Sequence, residues 1–322
     1  MTKPYVFITR RIDKEIVQSL NDIADVHMWE SEEEPVPREV LLEEASKADA
    51  LLTMLSDKVD EELLDKAGKL KVVSNLAVGY DNIDVEAATK RNVIVTNTPD
   101  VLNDTTADLT FLLMMAAARR LLEANDYIRK DKWNNWAPML LAGQDIHHKT
   151  VGIVGMGRIG QAVAKRATGF DMKILYHNRS RKEEAERELG AQYCSFEELI
   201  EQSDFVVCMT PLTPETKGML NAEAFKKMKK TAVFVNASRG PVVDEDALYN
   251  ALKEGDIAGA GLDVFTEEPI SSDHPLMSLE NAICLPHIGS ASIETRKAMM
   301  LLAVKNIFRV LNGENAETPV NE

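Results

Sequence analysis

Cysteine is scarce in this chain of 322 residues: three, an odd number, and no C-x-x-C. That excludes a disulfide framework and the common paired-thiol motifs, and no metal site is expected. Of Cys194, Cys208 and Cys284, the last two lie in apolar runs and read as reduced core residues of a cytoplasmic protein. Positive charge is also short, with 37 Lys and Arg against 52 Asp and Glu, a net charge of −15. Such a balance argues against general nucleic-acid or anionic-membrane binding, so an anionic ligand must be held by local cations and amides. Long apolar runs are missing too. The longest, Leu109 to Ala118, includes Thr110, is flanked by Asp108 and Arg119, and is too short for a bilayer. The opening M-T-K-P-Y-V-F-I-T-R has no apolar stretch of signal-peptide length, so none is expected. Neither an internal repeat nor a low-complexity segment is visible.

What is present is material for ordinary cores: 45% of residues are apolar, and the length suggests about two domains. Up to about residue 100, short apolar runs (Tyr5–Thr9, Ala50–Thr53, Val72–Asn75 and Val93–Thr96) alternate with charged helical stretches such as Glu39–Lys47 and Asp60–Lys66. The pattern implies a parallel α/β sheet covered on both faces. Thr98-Pro99 then punctuates the chain, and a hinge is expected there. A long helix follows, from about Asp104 to Leu122, whose centre F-L-L-M-M-A-A-A is apolar on every face and is therefore expected to be buried all round. Residues 123–148 form a long connection carrying Trp133, Trp136, Met139, Leu140 and Leu141. Such a segment packs either on its own domain or on a partner subunit, and a homodimer contact is the favoured reading.

The organising stretch is Val151–Gly160, V-G-I-V-G-M-G-R-I-G. Its apolar start reads as a strand, and Gly155, Gly157 and Gly160 have the G-x-G-x-x-G spacing. A dinucleotide site needs a tight turn at the first glycine, close backbone approach to pyrophosphate at the second, and close helix packing at the third. A glycine-rich turn without a ligand is the plain alternative. The strand before, the helical pattern after and a second strand at Lys173–Tyr176 favour the dinucleotide. Strands are expected near 151–154, 173–176, 204–208, 232–235, 258–263 and 281–285, with helices near 158–168, 182–188, 196–202, 221–228, 244–253 and 291–311. Six parallel strands after that motif fit a doubly wound sheet, and the last helix is expected to return to the N-terminal domain.

After the second strand comes His177-Asn178-Arg179-Ser180-Arg181-Lys182, with no carboxylate to meet a ribose 2′-hydroxyl. Arg179 and Ser180 can instead hold a 2′-phosphate, so NADP(H) is favoured over NAD(H); a solvated basic turn is the alternative. Three titratable residues follow expected strands: Arg239 in N-A-S-R-G-P, Glu268 in D-V-F-T-E-E-P, and His287 in L-P-H-I-G-S. Reduction of a 2-oxo acid needs a cation for the carboxylate, a proton donor for the carbonyl oxygen, and a hydride. Arg239 can supply the first and His287 the second, while Glu268 beside His287 favours the imidazolium. Singly, a surface arginine, a turn glutamate before Pro269 and a satisfied loop histidine would explain them; together, after strands of one sheet, they point to a site.

With those residues in hand the sequence resembles the D-isomer-specific 2-hydroxyacid dehydrogenases, nearest to their glyoxylate/hydroxypyruvate reductase branch. The resemblance runs through S-N-L-A-V-G-Y-D-N-I-D (74–84), V-T-N-T-P-D-V-L (95–102), T-A-D-L (106–109), G-M-G-R-I-G (155–160), N-A-S-R-G-P-V-V-D (236–244), G-A-G-L-D-V-F (259–265), E-E-P (267–269) and P-H-I-G-S-A-S (286–292). It implies two doubly wound α/β domains, a Rossmann cofactor domain (101–290) inserted in a flavodoxin-like substrate domain (1–100 and 291–322). The two would close through segments like Thr98–Leu102 and Gly289–Ile293. It implies Arg239, Glu268 and His287 as the catalytic set, and amides of Leu55, Val78 and Gly79 as the cradle for the substrate carboxylate. Cofactor contacts would come from Thr106, Gly155, Met156, Gly157, Arg158, Ile159, Gly160, Asn178, Arg179, Ser180, Thr210, Pro211, Ala237, Ser238, Arg239, His287 and Gly289, with Asp263 on the nicotinamide carboxamide.

The resemblance also implies a dimer. W-A-P-M-L-L-A-G (136–143) is similar to an arm that in some hydroxypyruvate reductases carries an aromatic towards the partner's active site, and that position here is Leu140. Glyoxylate, hydroxypyruvate and larger sugar-derived 2-oxo acids such as 2-ketogluconate stay open as substrates. Rival readings are a phosphoglycerate dehydrogenase, disfavoured by the short stretch after Gly313, and a formate-type enzyme, disfavoured by a carboxylate at Glu268. A non-enzymatic NAD(H)-sensing protein like the corepressors of this fold is a third.

Overall fold

In the computed structural model, which describes residues 3–321, contacts divide the chain into two units. One holds the residues up to Leu102 together with those from Ala291 onward, and the other is Asn103–Ser290.

The first unit runs β1 (Tyr5–Ile8), α1 (Gln18–Ile23), β2 (Asp25–Met28), α2 (Arg38–Lys47), β3 (Ala50–Thr53), α3 (Glu61–Lys66), β4 (Val72–Asn75), α4 (Val85–Lys90) and β5 (Ile94–Thr96). Its five strands are parallel in the order β2-β1-β3-β4-β5, the flavodoxin-like winding. β3 and β4 are buried along their whole length, as parallel strands covered on both faces must be. Phe7, Leu51, Val73 and Val95 alternate onto one face and pack against Leu41, Leu63, Leu64 and Ala88 of α2, α3 and α4. Aspartates set where two of these helices begin: Asp60 accepts from the Leu63 amide and Asp84 from the Ala87 amide.

The second unit begins with α5 (Asn103–Ala118) and α6 (Leu121–Arg129). It continues β6 (Thr150–Val154), α7 (Arg158–Thr168), β7 (Lys173–His177), α8 (Glu183–Leu189), β8 (Gln192–Tyr193), α9 (Phe196–Gln202), β9 (Phe205–Cys208) and α10 (Ala222–Lys227). It ends with β10 (Val233–Asn236), α11 (Glu245–Glu254), β11 (Gly259–Leu262) and β12 (Ala282–Cys284). All seven strands are parallel, in the order β12-β11-β10-β9-β6-β7-β8. Period-two alternation decides which core each side chain enters. Phe205 and Val207 of β9 face a core shared with α5 and α7, while Val206 and Cys208 face one shared with α9, α10 and α11. The chain then returns to the first unit as α12 (Ile293–Leu311), whose Ala303 carbonyl accepts from the Ser74 hydroxyl of β4.

Three expectations need correction. The sheets hold two strands that the sequence did not suggest: β2, an edge strand with alternating half-exposed residues, and β8, two exposed residues pairing with β7. Neither carries the continuous apolar run that announces a buried strand. The long helix does not reach Leu122. It stops at Ala118, Arg120 takes a left-handed φ of +51°, and a second helix starts. The cause lies downstream, because the chain returns at Gln144, whose amide caps the Ala118 carbonyl, and a Cβ on Gly143 would sit 2.2 Å from that oxygen. Nor is the helix buried all round: Leu112 is 51% exposed.

Candidate active site

The strand order decides which loops can meet. Ligands of doubly wound sheets bind beyond the carboxyl ends of the strands, near the point where the winding reverses. Here the reversal lies between β6 and β9, and the loops after β10, β11 and β12, which carry Arg239, Glu268 and His287, are successive neighbours on that edge.

The glycine motif has the geometry expected of it. Gly155 ends β6 with φ +101°, and a Cβ there would lie 2.7 Å from the backbone of Met209 and Thr210. A Cβ on Gly160 would meet the Gly155 carbonyl at 2.2 Å, whereas one on Gly157 would find nothing within 4 Å. Gly157 is thus the open position at the start of α7, which has no side-chain cap. The first turn of this 11-residue helix presents unpaired N–H groups to an anion there, so the residues present fit a dinucleotide pyrophosphate. Met156 is fully buried, leaving only its backbone for a ligand, and Arg158 is exposed.

The basic turn after β7 is sorted by its partners. Arg181 pairs with Glu186 at 2.6 Å, and the same carboxylate accepts from the Tyr176 hydroxyl. Asn178 donates to the Ser180 carbonyl. Arg179 and Ser180 are exposed. Across the turn, hydrogen bonding from Thr213 and then the Glu215 backbone and the Arg179 charge hold the Glu215 carboxyl below its ordinary range. On the next loops Thr210 is half-buried and Pro211 exposed, and Ala237 and Ser238 are half-buried.

Around Arg239, the Asn236 side chain accepts from the Ser238 amide and hydroxyl and donates to the Arg239 carbonyl, and an Arg239 Nη donates to the Ser238 carbonyl. Gly240 lets this turn press on the next loop, because a Cβ would fall 1.9 Å from the Phe265 carbonyl carbon. On that loop the Phe265 amide donates to Glu268 Oε1 at 2.9 Å, while Glu268 Oε2 accepts from His287 Nδ1 at 2.7 Å. Both oxygens are therefore committed, and with Nδ1 bonded to a carboxylate the other ring nitrogen, Nε2, is the one left for chemistry. Burial alone would raise the Glu268 carboxyl. The His287 hydrogen bond and charge, the Phe265 amide and the Arg239 charge outweigh it and hold the group below the usual carboxylate range.

His287 itself has φ +52°, a left-handed backbone uncommon for a side chain bearing a Cβ. Its amide reaches back to the Leu285 carbonyl, and the next two amides, of Ile288 and Gly289, donate to the two Asp263 oxygens at 2.8 and 2.7 Å. Asp263, 1% exposed, thus clamps the histidine turn, and burial pushes its carboxyl upward against the pull of those amides. Gly289 lies against Thr106 of α5, to which a Cβ would come within 3.3 Å. Sequence reasoning gave Asp263 no such role and overlooked Glu245, whose carboxylate accepts from the Thr266 amide and lies 3.5 Å from His274. No local pattern marks either one, since their partners are 21 to 29 positions away.

In the first unit Leu55 sits in the β3–α3 turn, and Val78 and Gly79 in the β4–α4 loop. None of the three amide N–H groups has an acceptor among the described residues. Among those residues no group of three His, Cys, Asp or Glu is placed to hold a metal ion, and no helix is long and apolar enough to cross a membrane.

Residues 111–289 match the family described as D-isomer specific 2-hydroxyacid dehydrogenase, NAD binding domain. Over 99% of its length the chain is 52% identical to the glyoxylate reductase of Thermococcus kodakarensis, covering 97% of that protein. It is 51% identical to the one from Pyrococcus horikoshii, covering 99% of this chain and 96% of that one. Among solved structures, a glyoxylate reductase from Paecilomyes thermophila superposes with TM-score 0.88 at 33% identity, covering 99% of each chain. An NADPH-dependent glyoxylate/hydroxypyruvate reductase from Sinorhizobium meliloti, in complex with NADP and malonate, gives 0.85 at 32%, covering 99% of this chain and 97% of that one. With more than half of the chain matched by the family and full-length relatives at about half identity, the chain belongs to the D-isomer-specific 2-hydroxyacid dehydrogenases and is an oxidoreductase of their glyoxylate reductase branch.

Proposed function

We propose that this chain reduces small 2-oxo acids, glyoxylate and hydroxypyruvate foremost, to D-2-hydroxy acids with NADPH in the cytoplasm. The observation that carries the reading is the 2.7 Å contact of His287 Nδ1 with Glu268, at the carboxyl edge that also bears the open glycine motif. A bound nicotinamide supplies the hydride. His287 gives the Nε2 proton to the carbonyl oxygen as it becomes a hydroxyl and is left neutral, to be reprotonated from solvent. Glu268 holds the ring and its charge, and Arg239 binds the substrate carboxylate and polarises the carbonyl. The cofactor belongs to the domain 101–290. The amides of Leu55, Val78 and Gly79, in the domain formed by 1–100 and 291–322, hold the carboxylate. The D configuration follows from the family. The free cysteines suit a reducing compartment: burial pushes the Cys284 thiol up to about 11 and raises Cys194 and Cys208 as well, so none is a ready thiolate.

The test is a steady-state panel of glyoxylate, hydroxypyruvate, pyruvate and 2-ketogluconate against NADPH and NADH. Glyoxylate or hydroxypyruvate with NADPH is expected to give the highest kcat/KM. No oxidation of either cofactor with any of the four would leave a cofactor-sensing protein as the reading.

NADPH preference rests on Arg179, because Arg181 is already engaged by Glu186. Arg179→Ala is expected to raise the NADPH KM about tenfold, the size of a lost charge-assisted phosphate contact, and to leave the NADH KM within about twofold. Equal changes with both cofactors would move the phosphate site elsewhere.

The homodimer reading rests on apolar exposure. Trp133, Trp136 and Met139 are 60, 74 and 78% exposed, and Leu121 and Leu122 of α6 about half. A hollow of about 590 Å³ opens at Leu122, lined also by Ala142, Gly143 and Asn281. Large apolar side chains exposed in such number are normally covered, and a second copy is the occupant proposed here. Light scattering should give twice the chain mass for the wild type and a monomer for the Trp136→Asp, Met139→Asp variant. A monomeric wild type would refute it.

A further inference from the structure

We propose that Asn82 and Asn75 are positioning residues that set the spacing between the two backbone turns of the first unit assigned above to the substrate carboxylate. The inference rests on the proposed function and goes beyond it in naming what holds the cradle.

The turn after β3 is closed by its own residues. The Asp57 amide donates to the Met54 carbonyl, and the Asp57 side chain folds back to accept from the Met54 amide at 2.8 Å. Asp57 is 3% exposed and accepts also from the Thr9 hydroxyl and from Arg10, whose other Nη donates to Ser56. Leu55 and Ser56 are the central residues of this anchored turn. The second segment, Leu76–Gly79, leaves β4 beside it.

Asn82 joins the two. Its Nδ2 donates to the Met54 carbonyl at 3.1 Å and the Asp57 carbonyl at 2.9 Å, both in the first turn. Its Oδ1 accepts from Asn75 Nδ2 at 3.1 Å, and that same Nδ2 donates to the Gly79 carbonyl at 3.0 Å, in the second. Asn75, fully buried at the end of β4, is held in turn by the Thr53 hydroxyl of β3. Asn82 therefore spends its donors on carbonyls of the first turn, and Asn75 divides its own between the Gly79 carbonyl of the second and Asn82, while the amides of Leu55, Val78 and Gly79 have no acceptor among the described residues. The helix-side ends of the loops are tied independently, because the Val59 and Asp84 amides exchange bonds with the Asn82 and Val59 carbonyls. Removing the Asn82 side chain should therefore loosen the amide spacing without undoing the loop pairing.

The experiment is steady-state kinetics of Asn82→Ala and Asn82→Ser, both neutral so that no new charge meets the substrate. KM for glyoxylate is expected to rise about tenfold in Asn82→Ala, the loss of roughly one well-aligned charged hydrogen bond. The inhibition constant of oxamate should rise by the same factor, with kcat at saturation and the NADPH dissociation constant within about twofold. Asn82→Ser, which keeps one donor, should fall between. A merely structural role would lower the melting temperature and leave KM and the oxamate constant in place, and that outcome overturns the proposal. So does a fall in kcat alone. If both variants fail to fold, the wild type decides. The side-chain amide resonances of Asn75 and Asn82 should shift in an oxamate titration along with the Leu55 and Gly79 amides, and silent asparagines overturn the proposal. A wild type that turns over no 2-oxo acid refutes the proposed function itself, whereas active enzyme with an unmoved KM in the variants refutes only this inference.

Discussion

Replacing His287 by alanine is expected to lower kcat/KM for glyoxylate by at least about 10³-fold, near the upper range for loss of a general acid. Cofactor affinity should stay within about twofold, because the glycine motif that starts α7 lies on a different loop from the histidine. Two effects must be kept apart in that experiment. His287 has φ +52°, a left-handed backbone that histidine adopts more readily than alanine, so part of any loss of stability belongs to the backbone. Asparagine tolerates that conformation, so His287→Asn should keep more of the melting temperature and be as inactive as the alanine variant. An asparagine variant retaining more than about a tenth of wild-type kcat would show that the proton comes from elsewhere.

What the sequence could convey about this site follows from how local each signal is. The glycine spacing encodes a turn whose partners are a few residues away, and the structure shows a left-handed Gly155 and an open Gly157 where that turn needs them. Arg239, Glu268 and His287 could be placed on one edge because each follows a buried parallel strand, and such strands are legible as apolar runs. Asp263 was named only through the family, and its grip on the Ile288 and Gly289 amides was invisible because it is set by the pairing of β11 with β12. The end of α5 at Ala118 is likewise dictated by the chain returning at Gln144, so propensity alone carries the helix too far. β2 and β8 stayed hidden for the opposite reason: they bury little, so no hydrophobic pattern marks them.

Strain at His287 and committed hydrogen bonds at Glu268 belong to one arrangement. A histidine in a disfavoured backbone persists only where its surroundings hold it, and here Asp263 receives the two following amides while Glu268 fixes the ring. Glu245 adds support from behind, through the Thr266 amide and His274, on the loop that carries Glu268. The backbone clamp and the ring clamp come from the same β11–β12 loop but are separable, because Asp263 acts on the main chain and Glu268 on the side chain.

That separation is what Glu268→Gln tests. The amide is nearly isosteric and can keep the contact with the Phe265 amide, but it removes the negative charge and, in one orientation, presents a donor to Nδ1. A wrongly held imidazole should cut kcat/KM by about 10²-fold at pH 7.5, without a comparable loss of cofactor binding. The stability difference has its own sign. Net of burial, which pushes the other way, Glu268 is held below its ordinary value of about 4.3, so its contribution is fully present above that pH and is lost as pH falls through the lower folded-state value. The gap in melting temperature between wild type and Glu268→Gln, present at about pH 5, should therefore close as pH falls below about 4. A gap that persists below about pH 3 would mean that the bonds to the carboxylate are not what Glu268 adds to stability, and an undiminished kcat/KM would mean that His287 does not depend on Glu268 to hold its ring.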